Sequence, residues 1–203
     1  MALLLTARTT APASKHCLTS GKGNPNMMTD TDLLQTTRSI LALAPAQWTA
    51  FVQDTPTSLL TLPAAPGEWS AFQCLCHLLD TESILFPVRL RTFLEGGTSF
   101  PGFNPDAEST DYSQHSPSDV LQHFLQHRHD NLQRLSEARP EYLSRQAVHT
   151  ALGPVTFAQF LNQWTAHDFN HTIQAQRALM QPFIPASGPW RHYFIDHDLS
   201  ATA

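Results

Sequence analysis

Three segments of the chain open with the same helix-start signal, and this repeated signal constrains the fold more than any other feature. In each segment a Ser or Thr is followed three residues later by a Gln or Asp: Ser70 with Gln73, Ser116 with Asp119, and Thr156 with Gln159. Such a pair satisfies two backbone N–H groups that a helix leaves free in its first turn. Each signal leads into a run of apolar residues at helical spacing, so we expect a long helix at all three places.

Four helical segments are expected in all, and they predict an all-α protein with a four-helix bundle. They run from about Thr31 to Leu43, from Ser70 to the glycines at 96 and 97, from Ser116 to Pro140, and from Thr156 to Pro182. Pro87 is expected to kink the second helix rather than end it, because apolar residues keep helical spacing beyond it. No segment shows sustained alternation of apolar and polar residues, so strands are not expected.

The predicted bundle occupies residues 29–198 and is flanked by two segments without helical or strand periodicity. Residues 1–28 consist largely of small and polar residues, so we expect a disordered leader. Because Met27 and Met28 directly precede the first helix, a mis-assigned start codon is the alternative. Residues 199–203 are expected to form a tail. Residues 96–116 predict a long loop, and long loops in compact domains often carry function.

Composition excludes several classes of function. The 203 residues are 41% hydrophobic and 14% charged, which is typical of a globular chain. The net charge of −5 and the lack of a basic cluster argue against nucleic-acid binding. No apolar run reaches the roughly 18 residues of a membrane-spanning helix, so no membrane association is expected. The odd set of cysteines, Cys17, Cys74 and Cys76, indicates a reducing compartment, and we expect a cytoplasmic protein.

Histidines on the inward faces of two predicted helices are the candidate functional residues. His167 and His171 lie four residues apart on the fourth helix, so both imidazoles point to one side of it. With about 100° per residue, His171 lies near the centre of the apolar face and His167 roughly 70° from it. On the second helix, Leu78 and Ile84 belong to the apolar face, and His77 lies roughly 60° from its centre. All three imidazoles can therefore point into the bundle.

A second pair of histidines shows that the spacing alone indicates little. His123 and His127 are also four residues apart, on the third helix. They point roughly 150° and 110° away from the apolar face of that helix, so we expect both to be solvated. For the inward trio two interpretations stay open: core-edge histidines hydrogen-bonded to backbone or Asp, and three ligands of one metal ion. Burying three imidazoles without a shared partner is costly, which favours the metal.

Two short motifs surround these histidines. They read Gly67-Glu68-Trp69-Ser70 followed by Cys76-His77-Leu78-Leu79-Asp80-Thr81-Glu82, and Ala166-His167-Asp168-Phe169-Asn170-His171 with Gln174 behind it. In this order the motifs resemble those of the DinB/YfiT-like family of metal-dependent enzymes, over about residues 29–198. In that family one histidine of the second helix and two of the fourth bind a divalent metal, which implies His77, His167 and His171. The family usually has an acidic residue early in the second helix, where this chain has Gln73.

The resemblance implies a function as well as a ligand set. Family members are similar to S-transferases and isomerases that use low-molecular-weight thiols. Our leading hypothesis is therefore a metal-dependent transferase that moves such a thiol to a small-molecule electrophile. Three histidine ligands leave positions open on an ion that activates a bound water or thiol. Zinc or nickel is expected first, with iron or manganese as alternatives. The other hypotheses are a metal-dependent hydrolase and a non-catalytic stress-response binding protein. The resemblance to the family also implies a homodimer.

Other residues near the histidines leave alternatives open. Asp168 is a candidate catalytic residue that orients an imidazole N–H, or else a surface aspartate. Gln174 either hydrogen-bonds at the site or lies at the core edge. Cys74 is expected to face the core and Cys76 to face away from it. The aromatic residues of the 96–116 loop either line a substrate pocket or cover the end of the bundle; they are Phe100, Phe103 and Tyr112.

Overall fold

A computed structural model of the chain describes residues 29–104 and 108–199. The expected leader at 1–28 and most of the expected tail lie outside these residues, so both stay predictions. The α-helices are α1 (Asp30–Leu41), α2 (Ala44–Asp54), α3 (Thr57–Leu60), α4 (Ala71–Asp80), α5 (Phe86–Glu95), α6 (Pro117–Leu135), α7 (Phe157–Met180) and α8 (Phe183–Ala186). A π-helical turn, Thr81–Leu85, joins α4 to α5, and two 3-10 helices lie at Pro140–Tyr142 and Gly188–Phe194.

The four long helical segments form the expected bundle. They are α1, the α4–α5 unit, α6 and α7; α4 packs against α6 and α7, and α1 packs against α7. The three helix-start signals are confirmed, because each N-cap hydroxyl accepts the backbone N–H three residues on, and each partner side chain accepts the N-cap N–H. Gly96 ends α5 with a φ of 77°, a left-handed conformation that favours glycine. Within 29–104 and 108–199, no helix combines the length and apolar character that crossing a membrane requires.

The first predicted helix corresponds to α1, and a separate helix, α2, follows it. α1 ends at Leu41 and α2 begins at Ala44, with Pro45 in its first turn. Proline lacks a backbone N–H, so it is tolerated at the start of a helix and not in its interior. Trp48 of α2 is 1% exposed, which anchors this second helix in the core.

The expected kink near Pro87 takes the form of a π-helical turn. The turn spans Thr81–Leu85, and the first N–H after it donates to the carbonyl five residues back. The extra residue rotates the rest of the helix by roughly 100° around its axis. Ile84, within this turn, is 45% exposed, whereas Glu82 is fully buried. The prediction that Ile84 belongs to the apolar face is wrong, because it assumed an unbroken α-helical period.

The expectation of no strands is also wrong, because a small three-stranded sheet packs against α5. Its strands are β1 (Ser99–Phe100), β2 (Gln146–His149) and β3 (Gly153–Thr156), in the order β1–β2–β3. β2 pairs in parallel with β1 and antiparallel with β3. Strands of two to four residues are too short to show alternation, and β1 lies within the predicted loop. The sheet joins the start of that loop to the segment before α7.

The core consists of two apolar clusters with a layer of buried charge between them. One cluster includes α5 and the first half of α7, and the other includes α2, α4 and the first half of α6. A charged residue separates the two clusters along three of the four long segments: Glu82 after α4, Arg128 on α6 and Asp168 on α7. Each of these three residues is at most 3% exposed. Charges this deeply buried need partners within the protein.

Candidate metal centre

Three histidines from two helices converge at one point in the bundle. His77 lies on α4, and His167 and His171 lie one turn apart on α7, which packs against α4. One ring nitrogen from each histidine lies within 4.8 Å of those of the other two. The Nε2 atoms of His77 and His167 are 3.1 Å apart. The structure thus brings the three predicted ligands together; that they bind a metal stays a prediction.

The exposure of the histidines follows the directions calculated from the helical period. His171 is 8% exposed, and His77 and His167 are half-buried. Of the pair on α6, His123 is exposed as expected, whereas His127 is half-buried. Neither of these two belongs to the ligand cluster. The two histidine pairs have the same spacing but different environments, because each pair is placed differently relative to the apolar face of its own helix.

The ring nitrogen Nδ1 of His171 has a partner that fixes its proton. Nδ1 lies 2.9 Å from the side-chain oxygen Oε1 of Gln174, so Nδ1–H donates and the Nε2 lone pair is left for another ligand. The expectation that Gln174 hydrogen-bonds at the site is confirmed. The Nδ1 atoms of His77 and His167 are buried with no hydrogen-bond partner among the described residues. It is thus the Nε2 atoms of this pair that face each other.

The distance between the facing nitrogens fits a shared metal ion. Two imidazole nitrogens that each bind one zinc ion at about 2.1 Å lie about 3.4 Å apart in a tetrahedral site. The 3.1 Å between Nε2 of His77 and Nε2 of His167 is close to that value. A donor set of three imidazoles suits zinc, nickel and iron, whereas manganese prefers oxygen ligands. The residues present therefore fit the group that the family implies.

All three imidazoles are neutral near pH 7, the form that binds a metal. Burial, with a smaller effect of the neighbouring His171, lowers the pKa of His77 to about 4. Burial also lowers the pKa of His167, and together with the other two histidines, Arg128 and Arg89 it brings that pKa to about 2. Burial also lowers the pKa of His171, although its bond to Gln174 opposes the shift. Desolvation is thus the main cause of the neutral state of the cluster.

Aromatic rings surround the histidine cluster. The ring of Trp69 lies 5.1 Å from that of His77 and stacks 5.7 Å from that of His171. Phe86 meets the ring of His167 edge-on at 5.4 Å. Such rings limit the access of water, which strengthens electrostatic interactions inside the site.

A pocket of about 430 Å³ opens beside His77. One wall is α4 with Trp69 before it, and the other wall is residues 109–113 of the long loop. Tyr112 lines the pocket, as one interpretation of the loop aromatics expected, whereas Phe100 is buried in the core. Cys76 also lines the pocket and packs against the core cluster of α4, so the prediction that it faces away is wrong. The loop folds back over that face of α4, which helical periodicity cannot indicate.

Asp80 holds the loop wall of the pocket in place. Its carboxylate is 1% exposed, accepts the Tyr112 hydroxyl at 2.7 Å and accepts the Thr110 N–H at 3.2 Å. Burial and the bond to Asp80 raise the pKa of Tyr112 above its usual range, so the hydroxyl keeps its proton and remains a donor. Asp80 thus positions the pocket wall.

Asp168, the candidate catalytic residue, binds an arginine. Its Oδ2 lies 2.6 Å from Nη1 of Arg128 and its Oδ1 lies 2.8 Å from Nη2. The imidazole N–H of His171 is taken by Gln174, and no described hydrogen bond joins Asp168 to a histidine. The expected bond from Asp168 to an imidazole is therefore absent from the described residues, and the alternative of a surface aspartate is wrong. A catalytic role for Asp168 stays a prediction.

Arg128 is the centre of a buried network that joins all four long helical segments. Besides Asp168 on α7, it donates to the carbonyl of Leu41 at the end of α1 and to Glu82 in the π turn, at 2.9 and 2.8 Å. Glu82 also accepts from the indole of Trp164 and from the side-chain amide of Asn131, each at 2.8 Å. Every carboxylate oxygen of the network has a donor, so the hydrogen-bonding capacity of both buried carboxylates is used, and one guanidinium serves the two.

The network sets the relative position of the two helices that carry the histidines. Glu82 lies five residues after His77, and Asp168 follows His167 directly. A guanidinium that binds both carboxylates therefore fixes the distance between the π turn and the middle of α7. We regard the network as a support of the histidine cluster.

Reasoning from the sequence missed Glu82 and Arg128. A signal existed for Arg128, because it lies four residues after Phe124, on the buried face of its helix. The same signal existed for Glu82, because it lies four residues after the buried Leu78. A charged residue on an apolar helix face is thus the pattern that would have indicated part of the network.

Comparisons with known proteins identify the family. The profile of the DinB superfamily matches residues 40–175, more than half of the chain. The structure is similar to that of YfiT from Bacillus subtilis, which is described as a probable metal-dependent hydrolase with an unusual four-helix bundle topology. That similarity has a TM-score of 0.65 at 18% sequence identity, and covers 77% of this chain and 91% of YfiT. No curated protein matches the chain. The protein belongs to the DinB superfamily, and its fold is the four-helix bundle of that group.

Proposed function

We propose that this protein is a metal-dependent enzyme acting on a small molecule, with His77, His167 and His171 as the metal ligands. The observation that carries the proposal is the convergence of three neutral imidazoles beside a pocket of about 430 Å³. Pockets of this size are typical of small-molecule sites. The ligand set suits a divalent ion, zinc or nickel first and iron as the alternative.

Three protein ligands leave a coordination position open, which is the arrangement of catalytic rather than structural zinc. When bound, such an ion lowers the pKa of a coordinated water or thiol and supplies a nucleophile near neutral pH. The protein's own groups prepare the site for this chemistry. Gln174 fixes the tautomer of His171, and Trp69 and Phe86 limit the access of water to the rings.

Within this class, we propose that the reaction transfers a low-molecular-weight thiol to an electrophile. The resemblance of the histidine motifs to a family with thiol-dependent S-transferases supports this proposal. The pocket also supports it, because it adjoins His77 and offers room for a second reactant next to the ligands. Its lining combines aromatic Trp69 and Phe72 with polar Gln73, which suits a thiol that has both apolar and polar parts.

Hydrolysis is the second candidate reaction, because YfiT, whose fold this chain shares, is described as a probable metal-dependent hydrolase. Water then takes the place of the thiol, and the same three ligands serve both reactions. A non-catalytic stress-response binding protein is the remaining alternative. For Asp168 we propose a positioning role through Arg128.

The metal is tested first. Protein purified without a His tag and analysed for elements is expected to contain about one divalent ion per chain, and His77→Ala and His171→Ala are expected to lose it. His123→Ala is the matched control, because this histidine is exposed on α6 and belongs to no cluster. A metal-free wild type, or two ligand variants with unchanged occupancy, would defeat the enzyme proposal and favour the binding protein.

The reaction is tested with metal-reconstituted protein, a panel of small thiols and model electrophiles. We expect consumption of the electrophile to require an added thiol and to be lost in His171→Ala. Turnover of an ester or amide at the same rate with and without thiol would replace the transferase with the hydrolase. The cytoplasmic location, the homodimer and the lack of nucleic-acid binding stay predictions.

A further inference from the structure

Arg89 is a buried cation without an anionic partner. It lies on α5 and is 8% exposed. In the ranges 29–104 and 108–199, no carboxylate forms an ion pair with it, whereas the other buried arginine, Arg128, pairs with two. A buried charge normally requires a partner of opposite sign, so the missing anion needs an explanation.

The contacts of the Arg89 guanidinium are long and involve only neutral groups. Nη1 lies 3.4 Å from the amide oxygen of Gln163, and Nη2 lies 3.3 Å from Nε2 of His149. The Nε atom is buried with no hydrogen-bond partner among the described residues. The ring of Phe100 lies 5.4 Å below the guanidinium. Much of the donor capacity of Arg89 is thus unused.

His149 presents a second donor to the same place. Its Nδ1 accepts the backbone N–H groups of Ala151 and Leu152, at 3.1 and 3.2 Å, so the ring proton is on Nε2. Nε2–H and the guanidinium of Arg89 therefore face each other as two donors 3.3 Å apart without an acceptor between them. Burial and Arg89 lower the pKa of His149, so the ring is neutral. An anionic oxygen is the group that accepts from both.

These donors lie near the histidine cluster. Gln163, which accepts from Arg89, precedes His167 by four residues on α7, so the two residues are about 6 Å apart along the helix axis. The loop next to His149 also reaches the cluster, because the ring of Phe103 lies 6.3 Å from that of His77. The charge of Arg89 also lowers the pKa of His167, so the guanidinium lies within electrostatic range of the cluster.

We propose that Arg89, with Nε2–H of His149, binds the carboxylate of the small molecule that reacts at the histidine cluster. The inference rests on the proposed function and adds a substrate class, namely short carboxylic acids that reach from the metal ligands to Arg89. Arginine is suited to this role, because its planar group binds a carboxylate through two parallel hydrogen bonds. The neutral contacts of Arg89 leave those donors available.

The test uses cobalt(II)-loaded protein and a pair of probes that differ in one charge. The probes are 3-mercaptopropionate and its amide, 3-mercaptopropanamide, and their binding is followed by the visible spectrum of the cobalt ion. We expect the acid to bind about tenfold or more tightly than the amide, the effect of a charge-assisted hydrogen bond. In Arg89→Gln the two probes should bind equally, whereas Arg91→Gln, an exposed arginine on the same helix, should keep the preference.

The outcomes separate this inference from the proposed function. Equal binding of acid and amide to the wild type, or a preference that survives Arg89→Gln, would overturn the carboxylate site while leaving the metal centre intact. Failure of cobalt to bind would instead contradict the metal centre, and failure of both thiols to change its spectrum would contradict both the proposed thiol reaction and this inference. Equal binding to the wild type overturns the carboxylate site even if Arg89→Gln folds poorly. In that case His149→Phe, which removes the second donor, should reduce the preference for the acid, whereas an acid that only chelates cobalt would keep its preference in this variant.

Discussion

Two buried polar clusters lie on the same helices of this bundle and differ in how their atoms are satisfied. The Arg128 network joins a cation to Glu82 and Asp168, and its carboxylate oxygens all have donors. In the histidine cluster three neutral rings meet, and the Nε2 atoms of His77 and His167 face each other at 3.1 Å. The charged groups of the network bind one another within the protein, although Nε of Arg128 has no hydrogen-bond partner among the described residues, whereas the cluster presents lone pairs to a common point.

The difference indicates which cluster is structural and which is a candidate site. A buried polar group without a partner is costly, so a protein that keeps several together needs a ligand for them. The network links the long helical segments through Arg128, whereas the histidines have ring lone pairs that are free to bind an ion. The two also depend on each other, because Asp168 and His167 are adjacent on α7.

The largest effect is expected from breaking the network. Arg128→Met leaves Glu82 and Asp168 buried without their cation, so the free energy of unfolding should fall by about 3–5 kcal/mol. Urea denaturation of the metal-free protein measures this change, and Arg91→Met on the exposed side of α5 is the control. A loss below about 1 kcal/mol would mean that the network contributes little to the fold.

Removing one ring from the histidine cluster should weaken metal binding strongly and change the stability of the metal-free protein little. His167→Ala is expected to weaken metal binding by more than about 100-fold, since the loss of a ligand exceeds that of an outer partner. Unfolding of the metal-free protein should change much less than in Arg128→Met. Competition with a chromophoric chelator measures the affinity, and His123→Ala on α6 should match the wild type. Equal metal affinity in both histidine variants would remove His167 from the ligand set.

Gln174 provides a second test of the histidine cluster. Among the described residues, it is the one side chain that hydrogen-bonds to the Nδ1 atom of a proposed ligand. Gln174→Leu removes the acceptor that fixes the tautomer of His171, so metal affinity should fall by about tenfold. Gln126→Leu, at an exposed position of α6, is the matched control. The same chelator competition applies, and a Gln174→Leu variant with wild-type affinity would exclude this role.

The smallest expected effect is a dependence of stability on pH. In the folded state burial lowers the pKa of His77 to about 4 and that of His167 to about 2, both below the ordinary value of 6.5. The unfolded chain therefore binds more protons between pH 6.5 and 4, and the metal-free protein should lose stability as the pH falls through this range. The slope for His167 should be about 1 kcal/mol per pH unit after allowance for solvent.

Urea titrations between pH 7.5 and 4.5 measure that dependence. His167→Gln should have a shallower slope than the wild type, because one buried neutral ring is gone. His123→Gln, at an exposed position, should keep the wild-type slope. Identical slopes for all three proteins would show that the burial of the ring does not control its charge.

Much of the fold could be predicted because its signals are local. The capping pairs at Ser70, Ser116 and Thr156 determine where three helices start through bonds within four residues of chain. The inward direction of His171 followed from the apolar residues of its own helix. Features that depend on distant partners were missed: the strand pairing of β1 with β2, and the loop that covers Cys76.

The candidate site, like the fold, has features that the sequence predicts and features that depend on distant residues. The sequence by itself determined that three imidazoles point into a helical bundle, because a regular period of about 3.6 residues fixes direction within a helix. Only the tertiary structure decided the partners of the buried charges, with Arg128 binding Asp168 and Glu82 across three helical segments. The π turn before Pro87 is a further example, because its extra residue changes the direction of the side chains that follow it. Directions within one element follow from its own backbone, whereas contacts between elements depend on packing that no single segment encodes.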